Sequence, residues 1–167
     1  MTHEKVDEML RAYREIVGRC GYLEVEINRL EKAVKQELTA FEGDVTSIKS
    51  PDLSGLPHGT MIGSQTERLA IILASGIIPD EIREMQKMLE KAQKEYEQKH
   101  YTVLCVDAWL NGLQERERWL IEHQVIDGEF WKNVINDFND FFGDELSKDS
   151  LKRLKQRALT KIYIMAE

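Results

Sequence analysis

Proline occurs only three times in 167 residues, beside ten glycines and two cysteines. So few turn formers argue against a β fold, whose short strands need a turn between each pair. The two cysteines, Cys20 and Cys105, form no CxxC and are too few for a disulfide framework. They read as reduced, packed thiols of a protein kept inside the cell. No apolar run approaches the ~18 residues that a membrane span needs. The segment from Met1 to Met9 is polar and acidic, unlike a signal peptide. A soluble cytoplasmic protein without a membrane partner is expected.

Chemistry-bearing motifs are also missing. His3, His58, His100 and His123 are scattered, and none forms HExxH or pairs with a cysteine at zinc spacing. Gly55, Gly59 and Gly63 precede no GK[ST] and follow no strand, so they build no phosphate loop. Ser54 and His58 lack the strand-turn-helix elbow that would make them nucleophile and base. Carboxylates are plentiful, but many have a base four residues on, as in Glu90 and Lys94, which suits solvated ion pairs on a helix. No constellation supports an enzyme, and no metal or cofactor is expected.

Helical periodicity is what the chain has in quantity. Val6, Tyr13, Cys20, Ile27, Val34 and Phe41 are seven apart, and Met9, Ile16, Leu23 and Leu30 fall three residues after the first four. Such a heptad marks a helix burying a narrow stripe against another helix. The seam weakens at Glu37. Residues 1–41 therefore read as a coiled-coil helix. Residues 42–65, with the run SPDLSGLPHGTMIGSQ, read as a flexible loop or linker. Residues 66–110 read as a second helical arm. Within it Pro79, Asp80 and Glu81 suit a helix start, and Ile82, Met85, Leu89, Ala92, Tyr96 and Val103 form the next stripe. The pattern fits a hairpin within one chain and equally a dimer or higher homo-oligomer joined by a shared coiled coil.

Residues 111–167 read as a three-helix, helix-turn-helix DNA-binding domain. Leu113–Val125 is helical, Asp127-Gly128 is a turn, Glu129–Phe142 is a second helix, and Ser147 caps a third that reaches Tyr163. Trp119, Trp131, Phe138 and Phe141 read as core of this domain. Charge divides it sharply. Nine acids against three bases give residues 111–146 a net −6, whereas six bases against one acid give residues 147–163 a net +5. Leu151, Leu154, Ala158 and Ile162 supply the third helix with a packing stripe. Lys148, Lys152 and Lys155 line one flank, and Arg153, Arg157 and Lys161 the other. One face held by the domain and cationic flanks free to meet phosphates is what a major-groove helix requires.

The same residues resemble a known pattern. Glu117-Arg118-Trp119-Leu120-Ile121, with Gly128 ten residues after Arg118, is similar to the first helix and turn of sigma-factor region-four domains. Trp131-Lys132-Asn133-Val134-Ile135 is similar to its second helix. Ser147, Ser150-Leu151-Lys152, Arg157-Ala158-Leu159 and Lys161-Ile162 are similar to its recognition helix. Ile135 stands where that pattern has a small residue, and the spacing from it to Ser147 is twelve rather than six, which implies a lengthened helix or turn. Together with the loop Ser50-Pro51-Asp52-Leu53-Ser54-Gly55-Leu56-Pro57-His58-Gly59, the organisation resembles the phage ArpU/RinA-type transcriptional regulators. The resemblance implies a phage or prophage late-gene activator in the nucleoid of the host, binding promoter double-stranded DNA and contacting host RNA polymerase. The candidate DNA-binding set is then Ser147, Lys148, Ser150, Lys152, Arg153, Lys155, Gln156, Arg157 and Lys161. The competing reading is a coiled-coil assembly or adaptor protein, such as a small-terminase-like DNA-packaging subunit.

Overall fold

The computed structural model describes residues 1–46 and 79–167, with the side chains of 42–46 left aside. Within them the protein is all-α. The helices are α1 (His3–Thr46), α2 (Asp80–Asn111), α3 (Glu115–Ile121), α4 (Trp131–Phe142) and α5 (Lys148–Met165), with one π-helical turn, Glu122–Ile126, after α3. No strand occurs among the described residues, and none of their helices is long and apolar enough to cross a membrane. α1 continues past Phe41 into the segment expected to be loop. The rest of that loop, including the Ser50–Gly59 motif, and the helical stretch expected from Thr66 lie outside the described residues.

The chain forms two compact units, residues 1–22 with 95–167, and residues 23–94. In the second, the heptad positions Leu23, Leu30 and Val34 of α1 are buried, as are Ile82 and Ala92 of α2. Gln93 there donates to the Glu31 carboxylate at 3.3 Å.

In the first unit α1 and α2 run antiparallel. The Tyr13 hydroxyl donates to Asp107 at 2.5 Å, and Arg19 forms a two-pronged contact with Glu95 at 2.9 and 3.0 Å. These two segments therefore meet within a single chain. α5 completes the unit by lying across two clusters. Its Ala158, Leu159 and Ile162 join Val6 and Leu10 of α1, Val106, Trp109 and Leu110 of α2, and Ile121 and Ile126. Its Leu151 joins Leu120, Val134 and Phe138, with Leu154 and Trp131 packed alongside. The stripe expected on α5 is thus nearly right, but Leu159 is buried and Leu154 only half-buried. The shift has a cause. α5 faces α1 as well as α3 and α4, so it buries a wider arc than one seam.

Candidate nucleic-acid interface

The site is built from the turn upward. The π turn after α3 ends at Ile126, and two residues on stands Gly128, whose φ of 68° lies in the left-handed region that favours glycine. This reverses the chain into α4. A second left-handed glycine, Gly143 with φ 65°, closes α4. Asn139 then clasps the backbone of Leu146 from both sides, its Oδ1 accepting from the amide at 2.9 Å and its Nδ2 donating to the carbonyl at 3.1 Å. Ser147 follows, and its hydroxyl accepts the Ser150 amide at 3.3 Å as the cap of α5. The twelve-residue spacing from Ile135 to Ser147 is therefore taken up both ways. α4 runs on to Phe142, and a short clasped connection leads to α5.

Of the nine candidate residues, Ser147, Lys148, Ser150, Lys152, Arg153, Gln156 and Arg157 are exposed. Arg153, Gln156, Arg157 and Thr160 share one open face, where with Lys161 they line a shallow groove of about 480 Å³. Among the described residues no carboxylate lies within ion-pair distance of Lys148, Arg153 or Arg157. Lys152 reaches only Asp149, one turn back, at 3.9 Å. The basic helix keeps an open positive face.

Two of the nine are engaged by the fold itself. The Lys161 ammonium is held by both oxygens of Glu117 at 2.8 and 2.7 Å. Glu117 is 3% exposed and also accepts the Gln114 amide, so it caps α3 and ties it to α5. Lys155 is half-buried, with its ammonium 5.9 Å from the centre of the Trp131 ring. The aromatic residues divide similarly. Phe138 is fully buried, with Trp119 and Trp131 partly so. Phe141, expected in the core, is 64% exposed while still touching Trp119 and Phe142. It lies on the flank of α4 that the small core is too narrow to cover.

Sequence spacing also hid one cluster. His123, Asp127 and Glu129 bring potential metal-ligand atoms within 4.8 Å of one another across the π turn. Each of the three residues already has a partner within the protein. His123 Nδ1 lies 2.9 Å from Glu129, and Arg14 contacts both oxygens of Asp127 at 2.8 and 3.3 Å. The arrangement fastens α1 to the turn, and no chemistry is assigned to it.

No family model matches this chain, and no curated protein or solved structure does. The functional reading therefore stands on the residues themselves.

Proposed function

We propose that the protein is a double-stranded DNA-binding transcription regulator of the phage or prophage type, acting on late-gene promoters and contacting host RNA polymerase. α5 enters the major groove. Lys148, Lys152, Arg153 and Arg157 meet phosphates and base edges, and Gln156 offers an amide suited to adenine. The observation that carries the reading is the open cationic face of α5. The preceding segment, whose net charge is −6, leaves most of these bases without a partner acid. Only Lys161 is matched by one of that segment's acids.

The test is a fluorescence anisotropy titration on DNA flanking the protein's own gene, at fixed salt. The double variant Lys152→Ala, Arg153→Ala should retain the helical circular dichroism and lose binding by more than tenfold, on the order of 1–3 kcal/mol per base or phosphate contact. Unchanged affinity would defeat the proposal.

A further inference from the structure

α4 presents an aromatic ring that the fold leaves uncovered, set among carboxylates without a partner base. Phe141 is 64% exposed although it touches Trp119 and Phe142. Asp137 stands one turn before it and Asp140 beside it, both exposed, and the exposed Glu145 follows in the connection to α5. Among the described residues none of these three acids lies within ion-pair distance of a base. Lys132, the one base of α4, is nine residues from Phe141 and so on the opposite side of the helix. Asp140 and Glu145, with the Arg116-paired Asp144, line an open hollow of about 580 Å³.

α5 offers the reverse. Its groove of about 480 Å³ is lined by Arg153, Gln156, Arg157, Thr160 and Lys161, yet its walls are mainly apolar. The stems of long side chains supply such walls while the charged heads stay at the rim. A phenyl ring that enters meets aliphatic stems, and guanidinium groups stand within reach of its face, a pairing that the ring's quadrupole favours. The two faces cannot meet within one chain. α4 and α5 pack together through Val134, Phe138 and Leu151, which fixes each helix about its own axis. Two copies can bring together what one copy holds apart.

We propose that copies of this chain associate head to tail, with Phe141 of one copy seated in the α5 groove of the next. Asp137 and Asp140 of the first copy then face Arg153 and Arg157 of the second, and the hollow beside Asp140 has room for a guanidinium. The two patches differ, so the contact is heterologous and leaves one patch of each kind open at the ends of a series. Ion pairs at such a surface are weak singly and screened by salt, so the association is salt-sensitive. The duplex would occupy the same groove. Association and DNA binding therefore exclude one another, and this consequence, unlike the contact itself, rests on the DNA reading.

Sedimentation velocity of the full chain tests the contact. In about 0.1 M salt the mean mass should rise with concentration toward about 0.1 mM, where a micromolar contact is nearly saturated. It should fall in about 1 M salt, which shortens the screening length from about 10 to about 3 Å. Asp137→Lys with Asp140→Lys reverses the acidic patch, and Arg153→Glu with Arg157→Glu reverses the groove. All four residues are exposed, so both variants should keep the helical circular dichroism. Neither should show the rise alone. Their equimolar mixture should, because the first keeps its groove and the second its Phe141 face, and the product should stop at one copy of each. Phe141→Ala alone should weaken association about tenfold, the order for truncating an interface aromatic. The proposal is overturned by a wild type whose mass does not rise, by either reversed variant rising as the wild type does, by a mixture no heavier than its components, or by an unweakened Phe141→Ala. A second arm adds the groove-reversed variant to wild type bound to a labelled duplex. The variant should displace the duplex and lower its anisotropy. If the two proteins pair and the duplex stays bound, the groove is not the seat and the proposal falls. If they pair and no duplex binds, the head-to-tail contact stands and the regulator reading falls. If duplex binds and no pairing occurs, the contact falls and the regulator reading stands.

Discussion

Glu117 and Lys161 form the one ion pair that joins α5 to the acidic segment before it, and the two partners differ in solvation. The Lys161 side chain is 44% exposed, whereas Glu117 is enclosed. Removing the lysine strands a buried carboxylate. Removing the carboxylate lets the ammonium rehydrate. Lys161→Met should therefore cost about 3 kcal/mol, and Glu117→Met, of similar volume, about 1 kcal/mol. Urea denaturation of the two variants checks the order, and equal or reversed losses would contradict it. The sequence placed Lys161 among the groove-facing bases because helical spacing assigns it a flank. Spacing does not report that a buried acid 44 residues earlier reaches it. Nor does spacing report that Lys155 lies half-buried over the Trp131 ring, which only the tertiary structure brings beside it. Arg153 and Arg157 keep the exposure that their spacing implies, because no other element packs over them.

At the level of elements, the connection from α4 to α5 decides how the basic helix is presented. Asn139 satisfies both backbone groups of Leu146, and Ser147 then satisfies an amide that the first turn of α5 leaves without a helical partner. Asn139→Ala should lower stability by about 2 kcal/mol, since two part-buried backbone groups lose their partners. Ser147→Ala should cost about 1 kcal/mol. Thermal unfolding monitored by circular dichroism separates the two, and a neutral Asn139→Ala would show that water replaces the clasp. The helices themselves were readable. α5 was expected from its Ser147 cap to Tyr163 and runs to Met165. α2 was expected from about Asp80 to Leu110 and runs Asp80–Asn111. Leu10, fully buried, lay off the expected stripe of α1, whereas the fully buried Val106 continues the Met85–Ala92 register of α2. A heptad describes a helix with one neighbour, whereas α1 in this unit meets both α2 and α5, so its buried arc widens. The π turn was read as a continuation of α3, because hydrophobic periodicity does not register one extra residue in a turn.

For the whole molecule, two phenols fasten the first part of α1. Tyr13 bonds Asp107 on α2, and Tyr163 on α5 bonds Asp7. Burial, then the hydrogen bond to Asp107, pushes Tyr13 up to about 12. Burial and the bond to Asp7 raise Tyr163. Below pH ~10 both the folded and the unfolded chain hold these protons, and the contribution is complete. Between about 10 and 12 the unfolded chain releases the Tyr13 proton while the fold retains it, so stability falls as pH rises. Tyr13→Phe should flatten that part of a stability–pH curve measured by urea denaturation, and an unaltered slope would remove the phenol from the account.

Charge at the same scale governs binding. The chain carries −7, and residues 147–163 carry +5, which leaves −12 on the remainder. Association with a polyanion is then confined to the few cations that stand clear, and it depends on releasing condensed counterions from the duplex. Lys148, Lys152, Arg153 and Arg157 are the exposed bases of α5. Each phosphate neutralised contributes roughly −0.9 to the slope of log affinity against log salt, so four contacts give about −3.6. Arg153→Ala with Arg157→Ala should bring the slope to about −1.8, with the midpoint of thermal unfolding little changed, because both side chains are exposed and pair with no carboxylate among the described residues. Anisotropy titrations between 50 and 200 mM salt measure this. A wild-type slope near zero would mean that α5 meets no phosphates. Its open cationic face would then belong to a protein partner, and the coiled-coil adaptor reading would take precedence.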